Sequence, residues 1–318
     1  MGVSNENNAF EQLVQQIAPR STLLRTWQLK GGISAEMTAL EIEGPDGHTR
    51  SMIVRRPCAA ALEHNPHAAR DEFKLLQLTR SLGLVAPTPY YLDQSGTIFS
   101  TPYLVIEYIE GKPEFAPAHL AGFIVQLATQ LARIHSVDCS RQDLSFLRPQ
   151  AYGCAETLGE RPTNVDTSLD EGRIRDTLEA LGPLPQRNAS VLLHGDYWPG
   201  NILWRDEMLV AVIDWEDARL GDPLVDLAIS RLDIGWIFGI EAMNAFTRHY
   251  QALMAIDYTN LPYWDLCAAL RFVRLAGSHL PEWAAFFHPF GRGDITAQTI
   301  REHYRRFVMQ AFEKLAVR

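Results

Sequence analysis

The residues best placed to do chemistry lie in two short stretches. The first reads His194-Gly195-Asp196-Tyr197-Trp198-Pro199-Gly200-Asn201, and the second reads Ile213-Asp214-Trp215-Glu216. Both put carboxylate or amide oxygens at loop ends. A carboxylate can take a proton from an attacking hydroxyl, while an amide oxygen and a second carboxylate can ligate a divalent ion such as Mg²⁺. Phosphoryl transfer from a nucleotide calls for this combination, because its catalysis is mainly positioning plus neutralisation of phosphate charge. Short polar motifs also occur as plain turn caps. Order and spacing taken jointly set this pattern apart.

The elements that must position these loops follow from periodicity. Phe10, Leu13, Val14 and Ile17 fall at helical spacing and predict a short amphipathic helix ending near Pro19. Strands are expected over 36–43 and 51–55, joined through the turn Gly44-Pro45-Asp46-Gly47. A helix over 68–82 stops at Gly83, a Pro-rich loop covers 87–89, and the β-branched and aromatic run 103–109 reads as a buried strand. That makes a ββαβ-like first part. From His119 onward the pattern is helical, over 119–136, 224–238, 241–254, 263–276 and 296–315. The exception is 191–218, where apolar runs at 202–204 and 209–213 predict a hairpin between the two polar stretches. Residues 148–170 read as the least structured region.

HGDxxxxN followed by IDWE resembles the catalytic and metal-binding loops of the aminoglycoside phosphotransferase and choline kinase-like family of small-molecule kinases, relatives of the protein kinases. The resemblance implies an α+β, protein kinase-like bilobal fold, with a small β-rich lobe over 1–108 and a larger, mainly helical lobe over 109–318. It implies Asp196 as catalytic base, His194 as organiser of the catalytic loop, and Asn201 and Asp214 as Mg²⁺ ligands. ATP or GTP would be the co-substrate and a hydroxyl of a small molecule the acceptor. Gly221-Asp222-Pro223 and Asp226-Leu227-Ala228 resemble the family's GDPxxDLA element, whose aspartates tie the loop to the next helix. An acid at a helix start is also an ordinary N-cap, so for Asp222 the two roles coincide.

Further positions carry a nucleotide-binding expectation. Gly31-Gly32-Ile33-Ser34 precedes a strand, where glycines let backbone N–H groups approach phosphate; Gly32 and Ser34 are the candidates. A kinase also needs a cation on its third strand, oriented by a helix glutamate. Arg55 and Glu72 fit that pair by resemblance, and Arg56 is the neighbouring alternative. The Arg departs from the Lys of protein kinases, and it can bind phosphate bidentately. By the same resemblance the backbone of Glu107 and Ile109 would meet the adenine. His135, in Leu131-Ala132-Arg133-Ile134-His135, reads as packing rather than chemistry. Trp236, Phe238, Trp264, Trp283, Phe286 and Phe287 read as core more than acceptor pocket.

Composition bounds these readings. The 318 residues, 47% of them hydrophobic, can bury a large core, and a formal charge of -9 argues against broad phosphate-backbone binding to nucleic acid. Cys58, Cys139, Cys154 and Cys267 show neither disulfide nor zinc spacing. No targeting segment or membrane span is legible, so a cytoplasmic protein without a membrane partner is expected. Candidate acceptors are antibiotics such as aminoglycosides and macrolides, choline-like or sugar alcohols, and hydroxyacyl thioesters, with a metabolic hydroxyl favoured. The competing reading is a pseudokinase, a nucleotide-binding module without turnover, against which the intact Asp196, Asn201 and Asp214 count.

Overall fold

The computed structural model describes residues 3–29, 34–147 and 154–316. The chain divides into two compact units, the first Met1–Glu110 with Ala211–Glu216, the second Gly111–Val210 with Asp217–Arg318.

The first unit opens with helix α1 (Val3–Ile17) and strands β1 (Thr22–Gln28), β2 (Ala35–Glu43) and β3 (Thr49–Pro57). Helices α2 (Ala59–His64) and α3 (Ala68–Ser81) follow, then β4 (Pro89–Asp93) and β5 (Tyr103–Glu107). The strands make one antiparallel sheet in the order β1-β2-β3-β5-β4. Phe10, Leu13 and Val14 of α1 join Leu40, Ile42, Met52, Val54 and Val105 in one apolar cluster, so α1 covers a face of the sheet. The 36–43 and 51–55 strands are each present and longer than read. Strands β1 and β4 are additions to the sequence reading, and the expected strand over 103–109 ends at Glu107.

The second unit is mostly helical: α4 (Leu120–His135), α5 (Ala155–Leu158), α6 (Glu171–Leu181), α7 (Leu224–Phe238), α8 (Ile240–Leu253), α9 (Leu261–Ala276), α10 (Leu280–Phe286) and α11 (Ala297–Ala316). Helix α7 is buried on nearly all sides, with α8, α9 and α11 packed on it and α4 packed on α8. Its central place explains its composition, apolar around the whole circumference except for Asp226 and Ser230, which hold the neighbouring loop, Arg231, which pairs with Asp265 of α9, and Asp233, which accepts from Trp236 Nε1. Strands β6 (Val191–Leu193) and β9 (Arg219–Gly221) pair antiparallel, and β7 (Ile202–Arg205) pairs with β8 (Met208–Val212), the expected hairpin. The family-like fold of a β-rich first part and a helical second part is therefore present.

Candidate active site

In the second unit the polar loop leaves β6 at His194. Pairing of Leu193 with Arg219 brings the loop's root against the segment that follows Glu216. Gly195 lies there with φ +85, and a Cβ at this position would stand 2.2 Å from the carbonyl oxygen of Asp217. Only glycine fits both the dihedral and the approach. The loop's backbone is fastened to α7: the N–H groups of His194 and Gly195 donate to Asp226 Oδ2 and Oδ1 at 2.7 and 2.9 Å, and Ser230 Oγ donates to the carbonyl of Tyr197 at 2.7 Å. Asp226 and Ser230 are one helical turn apart, so one face of α7 tracks the loop.

Asp226 is fully buried. Burial alone would raise its carboxyl, but hydrogen bonding and charge from His135, with His194 adding, hold it below the usual carboxylate range. His135 bridges Asp226 Oδ2 at 3.2 Å and Tyr250 Oη at 2.6 Å inside the core, which makes it a brace, in line with the packing reading. Asp222 Oδ1 accepts the N–H of Leu224 at the start of α7 and the amide of Asn188, so it caps the helix as expected.

Within the loop, Asp196 N–H donates to His194 Nδ1 at 3.3 Å, and His194 is buried. Asn201 Nδ2 donates to both the carbonyl oxygen and Oδ2 of Asp196, each at 2.9 Å. Asp196 and Asn201 are thus brought together by the loop's own turn. The loop closes through a short 3-10 turn, Pro199–Asn201, where the Trp198 ring lies over Gly200 so tightly that a Cβ there would meet it at 2.1 Å.

Asp196 has a third partner that the sequence did not suggest. Arg271 of α9 places Nη2 2.7 Å from Asp196 Oδ1. Near this pair sits Asp233 of α7, whose carboxyl is pushed up to about 7, chiefly by burial, with Asp196 adding, while a bond from Trp236 Nε1 at 2.9 Å and the charge of Arg271 oppose the shift. Nothing in a helix of this composition marks one Arg as inward-facing, so Arg271 carried no signal. Asp233 could have been noticed as an acid two turns beyond Asp226 on an otherwise apolar helix. Trp236, Trp264 and Phe287 are core, as read, whereas Phe286 is exposed.

In the first unit a second cluster forms around Arg55. Its Nε donates to Glu72 Oε2 at 2.9 Å, and its Nη2 reaches Asp214 Oδ1 at 3.1 Å and Glu216 Oε2 at 2.5 Å. Ser34 Oγ lies 3.5 Å from the same Nη2 and donates to Glu216. Burial works against the Arg55 charge, but Glu72, Asp214 and Glu216 outweigh it and hold the guanidinium firmly protonated. Burial raises the carboxyls of Glu72 and Glu216, with Asp214 adding to both and Arg55 opposing. Arg56 points elsewhere, pairing with Glu36 at 2.8 Å and lying over the Phe99 ring, so of the two arginines it is Arg55 that meets Glu72.

Asp214 itself sits at φ +63, an uncommon backbone state for a residue with a side chain. It is held by Val212 N–H donating to Val85 O at 2.7 Å and by buried Trp215, whose Nε1 donates to Val212 O at 2.9 Å. Gly32 lies outside the described residues. Glu107 N–H donates to Thr88 O, and its carboxylate takes Thr88 N–H and Oγ1, while Ile109 lies past the end of β5.

Residues 28–264 match the phosphotransferase enzyme family. The chain belongs to that family. Acyl-CoA dehydrogenase family member 11 of Rattus norvegicus is 26% identical over 262 residues, 72% of this chain and 33% of the relative. The family member thus spans about a third of the length of that curated relative. Viomycin phosphotransferase of Streptomyces vinaceus is 30% identical over 188 residues, 54% of this chain and 63% of that protein. In fold, this phosphotransferase-family chain is similar to a spectinomycin phosphotransferase solved with ADP and spectinomycin, at a TM-score of 0.63, 17% identity, and 96% and 98% coverage of the two chains. No helix among the described residues is long and apolar enough to cross a membrane.

Proposed function

We propose that this chain moves the γ-phosphoryl group of ATP or GTP to a hydroxyl of a small molecule, with Asp196 as base and Mg²⁺ held by Asn201 and Asp214. The observation that carries this reading is the set of hydrogen bonds made by Asn201. Because Nδ2 gives both its bonds to Asp196, Oδ1 is the oxygen left for a cation, and the base and the amide are held as one unit. Asp214 gives Oδ1 to Arg55 and retains Oδ2. An amide oxygen and a carboxylate oxygen are hard donors of the kind Mg²⁺ takes. When bound, the ion would neutralise charge on the β- and γ-phosphates.

The remaining roles are assigned to this chain's own groups. Asp196 accepts the proton of the acceptor hydroxyl at a carboxylate oxygen, and His194 keeps the loop in shape from beneath. Arg55, oriented by buried Glu72, binds the α- and β-phosphates, with Gly32 and Ser34 supplying the phosphate-facing loop. The main chain of Glu107 and Ile109 meets the adenine; since Glu107 N–H is taken by Thr88, its carbonyl is the group available. For the acceptor, the match over 72% of the chain to a protein named as an acyl-CoA dehydrogenase family member favours a metabolic hydroxyl, such as a hydroxyacyl thioester, over an antibiotic.

The test is purified protein with Mg²⁺ and ATP against a metabolite extract and an alcohol panel, scored by a phosphate mass shift. Transfer in the wild type that vanishes in Asp196→Ala, at nearly unchanged nucleotide affinity, supports the reading. Nucleotide-induced thermal stabilisation without transfer to any acceptor supports a pseudokinase module instead. Full turnover in Asp196→Ala overturns the choice of base.

A further inference from the structure

We propose that Arg271 is a positioning residue for the base, fixing the orientation of the Asp196 carboxylate from outside the catalytic loop. The inference rests on the reading of Asp196 as base. Arg271 lies beyond residues 28–264, the segment matched to the family, so no shared motif assigns it a task.

The two oxygens of Asp196 are gripped from opposite partners, Oδ1 by Arg271 Nη2 at 2.7 Å and Oδ2 by Asn201 Nδ2 at 2.9 Å. Two bonds to one carboxylate stop its rotation about the Cβ–Cγ bond, and each oxygen keeps a lone pair for the incoming proton. The grip comes from a rigid element. Leu266, Leu270, Phe272 and Val273 of α9 are all core residues, so the guanidinium is delivered on a packed helix rather than a loop. Burial opposes the charge of Arg271 and is outweighed chiefly by Asp196, with Asp217 and, above about pH 7 where it ionises, Asp233 adding. In a loose phosphoryl-transfer transition state, misorientation of the attacking oxygen matters a great deal.

The experiment compares wild type, Arg271→Lys, Arg271→Gln, Asp196→Asn and the Arg271→Gln/Asp196→Asn pair. Measurements are melting temperature, affinity for a fluorescent Mg²⁺–ATP analogue, and ADP release with Mg²⁺–ATP in water and with the alcohol panel. We expect Arg271→Gln to lower ADP release about ten- to a hundredfold at unchanged nucleotide affinity, with Arg271→Lys within about fivefold of wild type. The double variant should fall no lower than Asp196→Asn, because Arg271 acts through that carboxylate. A drop in nucleotide affinity that matches the loss of rate, or a double variant with additive loss, overturns the positioning role, as does wild-type rate in Arg271→Gln. A crystal structure of Arg271→Gln gives a readout that needs no turnover: the Asp196 carboxylate should leave the Asn201 bond, and an unmoved carboxylate sinks the inference. Absence of ADP release in the wild type under every condition counts against the phosphotransfer reading, not against this geometry.

Discussion

The guanidinium of Arg55 lies 3.1 Å from Asp214 Oδ1, joining residues 159 positions apart in sequence. The same side chain, only 5% exposed, also meets Glu72 and Glu216, so one cation compensates three acids. Arg55→Ala should destabilise the protein by roughly 1–3 kcal/mol, since Glu72 is buried and would be left uncompensated, whereas Asp214 and Glu216 are 38% and 36% exposed and solvent screens their share. Denaturant midpoints check this. The carboxyls of Glu72 and Glu216 are raised, chiefly by burial, so they take up protons as pH falls. The deficit of Arg55→Ala should therefore shrink between pH 8 and pH 5, and a deficit independent of pH would contradict the role given to these acids.

Much of this frame was legible before any coordinates. Asp196, Asn201 and Asp214 stand in a fixed order around a hairpin, α7 is a long, mostly apolar run, and α9 lacks any internal Gly. What escaped has physical reasons. Strands β1 and β4 are the two edges of the sheet, and β1 is largely exposed or half-exposed, so neither shows a clean alternation. The β6–β9 ribbon consists of three-residue strands paired over a long separation, below what local pattern can register. Arg271 is an ordinary helix residue in sequence, and only the packing of α9 turns it toward Asp196. Glu216 was in view within Ile213-Asp214-Trp215-Glu216, but its partnership with Arg55 and Ser34 depends on tertiary contacts.

Gly195→Ala should be among the most damaging single substitutions. The new methyl would face both a φ of +85 and a carbonyl oxygen at 2.2 Å, and the obstacle is backbone rather than a movable side chain. The expected loss exceeds about 3 kcal/mol of stability, or the loop is displaced with loss of activity at lower cost to folding. Thermal melts together with ADP release distinguish the two. A variant with wild-type melting temperature and turnover would show that the approach of Gly195 to Asp217 is not required.

Asp226→Asn should loosen the loop's attachment to α7. It replaces a charged acceptor of two backbone N–H bonds and a His135 contact with a weaker one, for an expected loss of about 2 kcal/mol. The sign with pH follows from the direction of the shift. Asp226 is held below the usual carboxylate range, so its stabilisation is fully present above that range and fades as pH falls through the folded value. Urea midpoints of the two proteins should differ most near pH 6 and converge in strong acid.

Asp233 makes the opposite prediction. Its carboxyl is pushed up to about 7, first by burial and then by the charge of Asp196, despite the bond from Trp236 and the nearby Arg271. Below the unfolded carboxylate range both states hold the proton, and the group contributes nothing to the slope. Between pH 4 and pH 7 the folded protein keeps a proton that the unfolded chain has lost, so stability falls as pH rises across that window, by roughly 4 kcal/mol in total. Asp233→Asn removes the titration, and its stability curve should run flatter than that of the wild type over the same range, with the largest gain above pH 7. Parallel curves for the two proteins between pH 4 and pH 8 would mean that Asp233 ionises freely and is not a buried neutral acid beside Arg271.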